Sequence, residues 1–377
     1  MKLRSFCPEA LDSRELDQIC EASVRVAKRV PLRMGGASEG GRENNYTDQL
    51  LAALREFGCE IRDNEYVSFP DAVMDRVMAA IAEHRSAAPT EFPDFPDKLS
   101  YSASGQGLWC CDVEDDSIRA ATTRDLADLS RVVDAIDGLG RSHSRQATEP
   151  VAHDIVDVHA FATIILNSSV PYQMSVYNAD VIEHFIELDT LARGGDREAV
   201  LANPTFASKA WFNTPFMLTG ENIDIGMKTR ELMGSPLTVS TMPLAGAATP
   251  VTLAGCLAHS TAEVLQCNVI SMAVDDRLMG WTAGPLTIDP RTGAHTQSGP
   301  AVLLLLLGAR QVCCHLFGGQ ITAGGGPTTA AKVPGAQSMM EKSLETAWAI
   351  MGGTRSFGSL AVLAVADIGS IVQLMLD

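Results

Sequence analysis

The stretch Pro236 to Glu263, PLTVSTMPLAGAATPVTLAGCLAHSTAE, constrains the fold more than any other part of the chain. Leu237 to Met242 alternates apolar and small polar side chains, several of them β-branched, which is the pattern of a buried strand. Pro243 to Ala248 follows as a run of small residues that cannot fill space. Thr249 then reads as a helix N-cap, with Pro250 at the first helical position, where its missing N–H costs nothing. From Val251 to Glu263 the pattern is helical. Strand, small-residue turn and helix make one βα unit, with the turn at the carboxyl end of the strand. Ligands of parallel α/β folds bind at that end, and Ala245 and Gly246 leave backbone and room there.

The same rhythm repeats from about Gly138 onward. Strands are expected near 141–146, 171–178, 208–215, 236–243, 278–285, 311–318 and 355–363. Helices are expected over 153–168, 179–194, 220–233, 250–271, 298–309, 335–350 and 366–377. This alternation defines an α/β fold with a parallel sheet. Residues 1–137 read differently, as an α+β extension with helices over 10–30, 46–57 and 70–84, the last opened by Pro70. A linker with Pro89, Pro93 and Pro96 follows, then a hairpin over 105–118 and a helix that Thr123 caps. No chemistry converges in this part, which packs against the main domain or forms a subunit contact in a homo-oligomer.

Three motifs carry a family resemblance. PLAGAATPVTLAG (Pro243 to Gly255) is followed by Asp289-Pro290-Arg291-Thr292-Gly293, and then by AAKVPGAQ (Ala330 to Gln337) with Glu341-Lys342. In order and spacing these resemble the trimethylamine methyltransferase family, corrinoid-dependent enzymes that take a methyl group from trimethylamine or a quaternary amine such as glycine betaine. The likeness extends weakly into the N-terminal third. It implies a (β/α)8 TIM-type barrel over 138–377. Seven strands are countable, so the eighth is either the segment Leu108 to Val113 or unseen. Family members continue past the point matching Leu374 to Asp377, so the chain resembles a shortened member.

Two departures bear on the substrate. Trimethylamine-specific members carry pyrrolysine near the stretch matching Gly324 to Lys332, where this chain has Pro327-Thr328-Thr329. Ala330 and Gly335 stand where the family has acids. Without the group that activates a neutral amine, a quaternary amine is the better substrate.

Charge and cysteine content narrow the remaining classes. A net charge of −17 with no basic stripe argues against nucleic acid. Nine cysteines, an odd number that includes the adjacent pairs Cys110-Cys111 and Cys313-Cys314, make neither a zinc site nor a disulfide framework. They read as small buried hydrophobes in a reducing compartment. The first ten residues have no apolar core of a signal peptide, and Leu303 to Leu307 is too short to span a bilayer. A cytoplasmic protein without a membrane or metal role is the expectation.

At the expected strand ends stand Tyr177, Asn213, Trp281, Phe317, Gln320 and Phe357, with Ala245 and Gly246 supplying open backbone. Tyr177, Trp281, Phe317 and Phe357 are the expected aromatic box for a cation, with Asn213 beside it. Trp211 and Phe212 read as core on opposite faces of their strand. His315 shares a face with Phe317 in the expected 311–318 strand and is the one candidate catalytic residue, touching substrate or corrinoid, or else a structural histidine. Arg291, with Asp289, either holds its loop or binds a substrate carboxylate. His259 is expected between helix and sheet.

These ends lack paired carboxylates, a nucleophile elbow and a phosphate-binding glycine fingerprint. Demethylating a quaternary ammonium expels a neutral amine and needs no proton, so such a site suits it. The resemblance implies that the acceptor corrinoid belongs to a separate corrinoid protein, with no cofactor held permanently by this chain. Two other classes stay open: a non-catalytic small-molecule-binding or scaffold homologue, and a hydrolase or lyase on the same barrel.

Overall fold

The structure is a computed structural model that describes residues 9–35, 45–89, 99–105, 107–144, 151–152, 154–169, 174–207, 209–296, 298–319, 326–351 and 354–377. The fold is mixed α/β, and its parallel strands follow one another in chain order. Ser100–Gly105 lies between Leu139–Ser144 and Ser356–Leu360, parallel to both. Met174–Ser175 pairs with Phe206–Ala207, Ala210–Trp211 with Val239–Ser240, and Leu244–Ala245 with Leu286–Ile288, again all parallel. A parallel bridge joins Thr241 to Ala283. Helices return the chain between these strands, as a parallel sheet requires. Among the described residues the ladders form six separate sheets, not one closed cylinder.

Most helices form where their periodicity places them, Gly220–Met233 with the same bounds. The central helix starts later than expected. Its N-cap is Thr252, whose hydroxyl accepts from Gly255 N, and it runs Leu253–Asp275. Thr249 instead closes the preceding turn, its N–H donating to Leu244 O.

Two expected strands need correction. Residues 311–318 are not a strand but the second half of the Pro300–Phe317 helix, so Cys313, Cys314, His315 and Phe317 are helical. Leu108 to Val113 does not supply the missing sheet strand either. Trp109–Cys111 makes a hairpin with Ile118–Ala120, just past the carboxyl end of Ser100–Gly105, and joins a small sheet with Ile368–Gly369 and Val362–Leu363. The strand that reading overlooked is Ser100–Gly105 itself, and its pairing with Leu139–Ser144 carries the sheet across residue 138.

Leu253–Asp275 is the hub of the largest core. Helices Ser13–Arg29, Asn45–Phe57, Asp71–Ala87 and Pro300–Phe317 pack around it, so N-terminal and C-terminal halves share one apolar cluster from Ile19 to Phe317. Asp12 opens the first of these helices with a capping box to Glu15. Leu32–Met34 pairs in parallel with Met217–Leu218, which ties the N-terminal strands to the main sheet as well. Gly308 allows Pro300–Phe317 to approach closely, since a Cβ there would lie 2.8 Å from Leu257 Cδ1.

The hub helix is buried all round, yet it carries polar side chains that act as anchors. Gln266 donates to Ala27 O and Val30 O at the end of the first helix. Asn268 accepts from Met279 N and Gly280 N, and Asp275 accepts from Leu237 N at the start of a strand. Each anchor offsets its own desolvation by satisfying backbone that would otherwise be orphaned. Among the described residues Pro300–Phe317 alone has the length and apolarity to cross a membrane, and 61% of it is buried inside the fold.

Candidate functional site

The carboxyl ends of the parallel strands present two walls. The first lies on the strands through Tyr177, Trp211 and Met242. Ala210, Phe212 and Val239 belong to the core against the helices, and a Cβ on Gly226 of the neighbouring helix would lie 3.2 Å from Ala210 Cβ. Thr241 donates to Glu263 of the hub helix. Strand side chains alternate, so Trp211, Asn213, Ser240 and Met242 face the opposite way, to the inner side of the sheet. Trp211 pairs in register with Ser240. Met174 and Val176 pack in a second apolar cluster, which puts Ser175 and Tyr177 on the face of their own strand that turns away from it.

This inner face is open. Trp211 is 42% exposed and Met242 45% exposed, large apolar side chains that the core does not take up. Asn213 is exposed with them, and Tyr177 is half-buried on its own strand. Asn213 N donates to Met217 O across the tight turn Thr214-Pro215-Phe216, and Phe216 sits in the left-handed region at φ 49°. An indole face, a thioether, a phenol and an amide are groups that attract cations and methyl groups.

The second wall is the segment 326–331 against residues 358–366. A Cβ on Gly326 would come within 2.3 Å of Gly358 O, so only glycine permits this approach. Val365 N donates to Thr329 O and Ala364 N to Ala331 O. Ser359, Ala361, Ala364, Val365 and Ala366 all have positive φ, Val365 at 68° despite its branched Cβ. Such strain gathers at ligand sites and persists only where the surroundings enforce it.

Here the enforcement comes from the helix Ala336–Met351. Glu341 accepts from Thr329 Oγ1 at 2.6 Å, Ala330 N at 2.8 Å, Ser298 Oγ at 3.2 Å and Gln337 Nε2 at 2.9 Å. Burial pushes its carboxyl up, but these hydrogen bonds outweigh burial and hold it below its ordinary value. Glu345 accepts from Thr328 N at 2.8 Å and from its hydroxyl at 3.3 Å. Lys342 reaches Asp377 at 2.6 Å and Ser359 O at 3.1 Å, and burial holds its ammonium below the usual lysine range.

Burial pushes Glu345 up to about 7, against its hydrogen bonds from Thr328 and the nearby Lys342. The folded chain therefore keeps this proton to higher pH than the unfolded chain does. Its contribution to stability is complete below the ordinary value of 4.5 and is lost as pH rises through about 7. Thermal melts should show the wild type losing stability between pH 4.5 and about 7 more steeply than Glu345→Gln, in which that slope disappears. Parallel slopes for the two proteins would refute the assignment.

The other expected site residues are scattered. Phe357 does not face the site: it is fully buried, stacked on Tyr101 at 5.5 Å between centroids. Phe317 is buried in the main core at the end of a helix, and Trp281 packs against that core with its indole N–H donating to Ala283 O. Of the four expected box residues, only Tyr177 turns away from the apolar clusters that bury the others.

His315 is on a helix and meets Asp17 of the first helix at 2.9 Å, away from the strand ends. It shares no strand face with Phe317. Arg291 is exposed in the turn of a hairpin between Leu286–Ile288 and His295–Thr296, and Asp289 holds that turn by accepting from Arg291 N. Ala245 is buried and Gly246, at φ 89°, turns the chain beside Ile288. Gln320 lies outside the described residues. Trp211, read as core, is what the sequence reading missed, and Met242, which stands at an expected strand end, had no role there. Both sit in strands it had placed, and their exposure depends on what the opposite strands leave open.

A family model described as trimethylamine methyltransferase (MTTB) matches residues 39–358. The chain is 23% identical over 334 residues to trimethylamine methyltransferase MttB of Methanosarcina thermophila, covering 86% of this chain and 68% of that protein. It is 21% identical over 281 residues to trimethylamine methyltransferase MttB of Desulfitobacterium hafniense, covering 74% of this chain and 56% of that one. Among solved structures it is similar to the hydrogenase maturase HydG, with a TM-score of 0.40 and 9% identity over 93% of this chain and 73% of that one.

Proposed function

Because this chain belongs to the trimethylamine methyltransferase (MTTB) family, we propose that it moves a methyl group from a quaternary amine of the glycine betaine type to Co(I) of a corrinoid carried by a separate protein. The observation that carries this reading is the open face of Trp211, Met242 and Asn213, to which we add Tyr177, with no Asp, Glu, Lys, Arg or His among them. In this reaction the C–N bond breaks with its electron pair staying on nitrogen, so a neutral tertiary amine leaves and no proton is required. Co(I) supplies the electron pair for the new bond to carbon.

What remains for the protein is to hold the cation, aim one methyl outward and keep water away. Trp211 and Tyr177 attract the ammonium through their ring faces, at about 0.5–2 kcal/mol each depending on dryness. Met242 lies against the methyl groups as a soft apolar surface. Asn213 offers an amide N–H to the carboxylate of a betaine. A quaternary ammonium keeps its charge at every pH, whereas a tertiary amine meets these rings as a cation only while protonated, which is why a quaternary substrate fits better.

We read the parallel strands as one closed barrel that begins near Leu99 and needs one further strand between Leu286–Ile288 and Ser356–Leu360. The corrinoid protein would meet it at the rim. There the hairpin beyond Ser100–Gly105 exposes Leu108, Trp109, Val113 and Ile118, an apolar surface of the kind a partner covers.

The test is spectroscopic. Mixed with Co(I) cobalamin and glycine betaine, proline betaine, carnitine or trimethylamine, the protein should convert the Co(I) band to that of methylcobalamin with a quaternary amine and not with trimethylamine. Turnover of trimethylamine alone would overturn the substrate assignment. Binding without transfer, by any candidate, would select a non-catalytic homologue instead.

A further inference from the structure

We propose that Glu263 is a positioning residue that sets the two strand ends carrying Trp211, Asn213 and Met242; the inference rests on reading that face as the substrate wall. Glu263 lies on the hub helix, wholly buried. Its carboxylate gathers four donors: Thr214 Oγ1 at 3.0 Å, Phe216 N at 3.0 Å, His259 Nε2 at 3.2 Å and the Thr241 hydroxyl. The two threonine hydroxyls also meet each other at 3.2 Å. His259 packs its ring on Phe216, with centroids 4.4 Å apart. Phe216 O in turn accepts from Arg33 N of the N-terminal strand.

The partners are what give this cluster its meaning. Thr214 follows Asn213 and Thr241 precedes Met242 in the chain. Each threonine turns toward the helix while its neighbour turns to the inner face. One carboxylate thereby fixes the last residues of two adjacent strands against each other, from behind the wall. The hub helix anchors other segments with the amides of Gln266 and Asn268. Only an acceptor-only group can take two hydroxyls, a backbone N–H and an imidazole N–H together. A buried carboxyl is costly without such partners, and a hydrophobe of equal volume would pack as well. Methyl transfer is sensitive to misplacement on the order of 1 Å, so a group that holds these ends in register acts on the reaction without touching substrate.

The experiment uses the full chain labelled with 5-fluorotryptophan, in which the four tryptophans give four fluorine resonances. Trp211→Phe assigns the resonance of Trp211. Glu263→Gln keeps the volume but puts an NH2 where the second oxygen accepts, and Thr241→Val removes one donor isosterically should the first variant fold poorly. Asp189→Asn is the control. Asp189 is also buried and accepts from Thr205 N just before the strand that begins at Phe206, at the opposite end from the wall.

Glu263→Gln and Thr241→Val should each shift the Trp211 resonance and weaken tetramethylammonium binding about tenfold or more, while Asp189→Asn changes only thermal stability. Unchanged resonance and affinity in both variants, or equal changes in the control, would overturn the proposal. If the wild type binds no tetramethylammonium, the substrate reading fails and the ligand-free Trp211 resonance decides alone: shifted in the two variants but not in the control supports the positioning role, and unshifted refutes it.

Discussion

Trp211→Ala should weaken binding of glycine betaine and tetramethylammonium about 30-fold, the equivalent of roughly 2 kcal/mol for one desolvated cation–π contact. The folded protein should be nearly as stable as wild type, because the indole is 42% exposed and supports little core. Phe357→Ala should behave in the opposite way. Phe357 is fully buried on Tyr101, so its loss costs about 3–5 kcal/mol of stability and leaves the affinity of the folded fraction close to wild type. Calorimetric titration with tetramethylammonium and with an uncharged tert-butyl analogue separates charge from shape. If Trp211→Ala lowers the two affinities equally, the ring provides area and not cation recognition.

Lys342→Met should destabilise the fold by about 3–5 kcal/mol in urea unfolding, the cost of stripping one partner from a buried ion pair. Lys342 and Asp377 side chains are only 3% and 2% exposed and meet at 2.6 Å. Asp377 also accepts from Ala361 N at 2.9 Å and Gln373 Nε2 at 2.6 Å, and Lys342 donates to Ser359 O. The pair thus grips Ser359 and Ala361, two of the positive-φ residues of the second wall. Removing both charges, as in Lys342→Met with Asp377→Leu, should recover much of the loss, since no unpaired charge stays behind. A single variant as stable as wild type would mean that the ion pair holds nothing.

The sequence made helices legible and made the sheet only partly so, for reasons particular residues show. Gly220–Met233 has a polar side and an end at the left-handed Gly234, so its bounds could be read directly. Pro300–Phe317 has almost no polar side, and Val312 to Phe317 looks like a short buried strand. Periodicity cannot tell a fully buried helix from a core strand. That one ambiguity moved His315 and Phe317 into the sheet and hence into the expected site.

Ser100–Gly105 failed in the other direction. Its sequence, SYSASG, puts only Tyr101 and Ala103 toward the apolar cluster that includes Leu129 and Val133, and serines elsewhere do not announce a strand. The βα unit around Pro243 to Gly246 is legible because a small-residue turn between two clear patterns has few alternatives, yet Leu244–Ala245 continues the strand into that turn and Thr252, not Thr249, caps the helix. Trp211 reads as core because a large aromatic beside Phe212 normally is. Which of the two faces water depends on the neighbouring helix at Gly226, information that no local window holds.

A quaternary ammonium should rest on the face formed by Trp211 and Met242. Diffraction from crystals soaked with glycine betaine decides the matter. The trimethylammonium group is predicted within about 6 Å of the Trp211 ring centroid, with one methyl pointing away from the strands. Density for the cation bound elsewhere, with the Trp211 face left to solvent at saturating ligand, would contradict it.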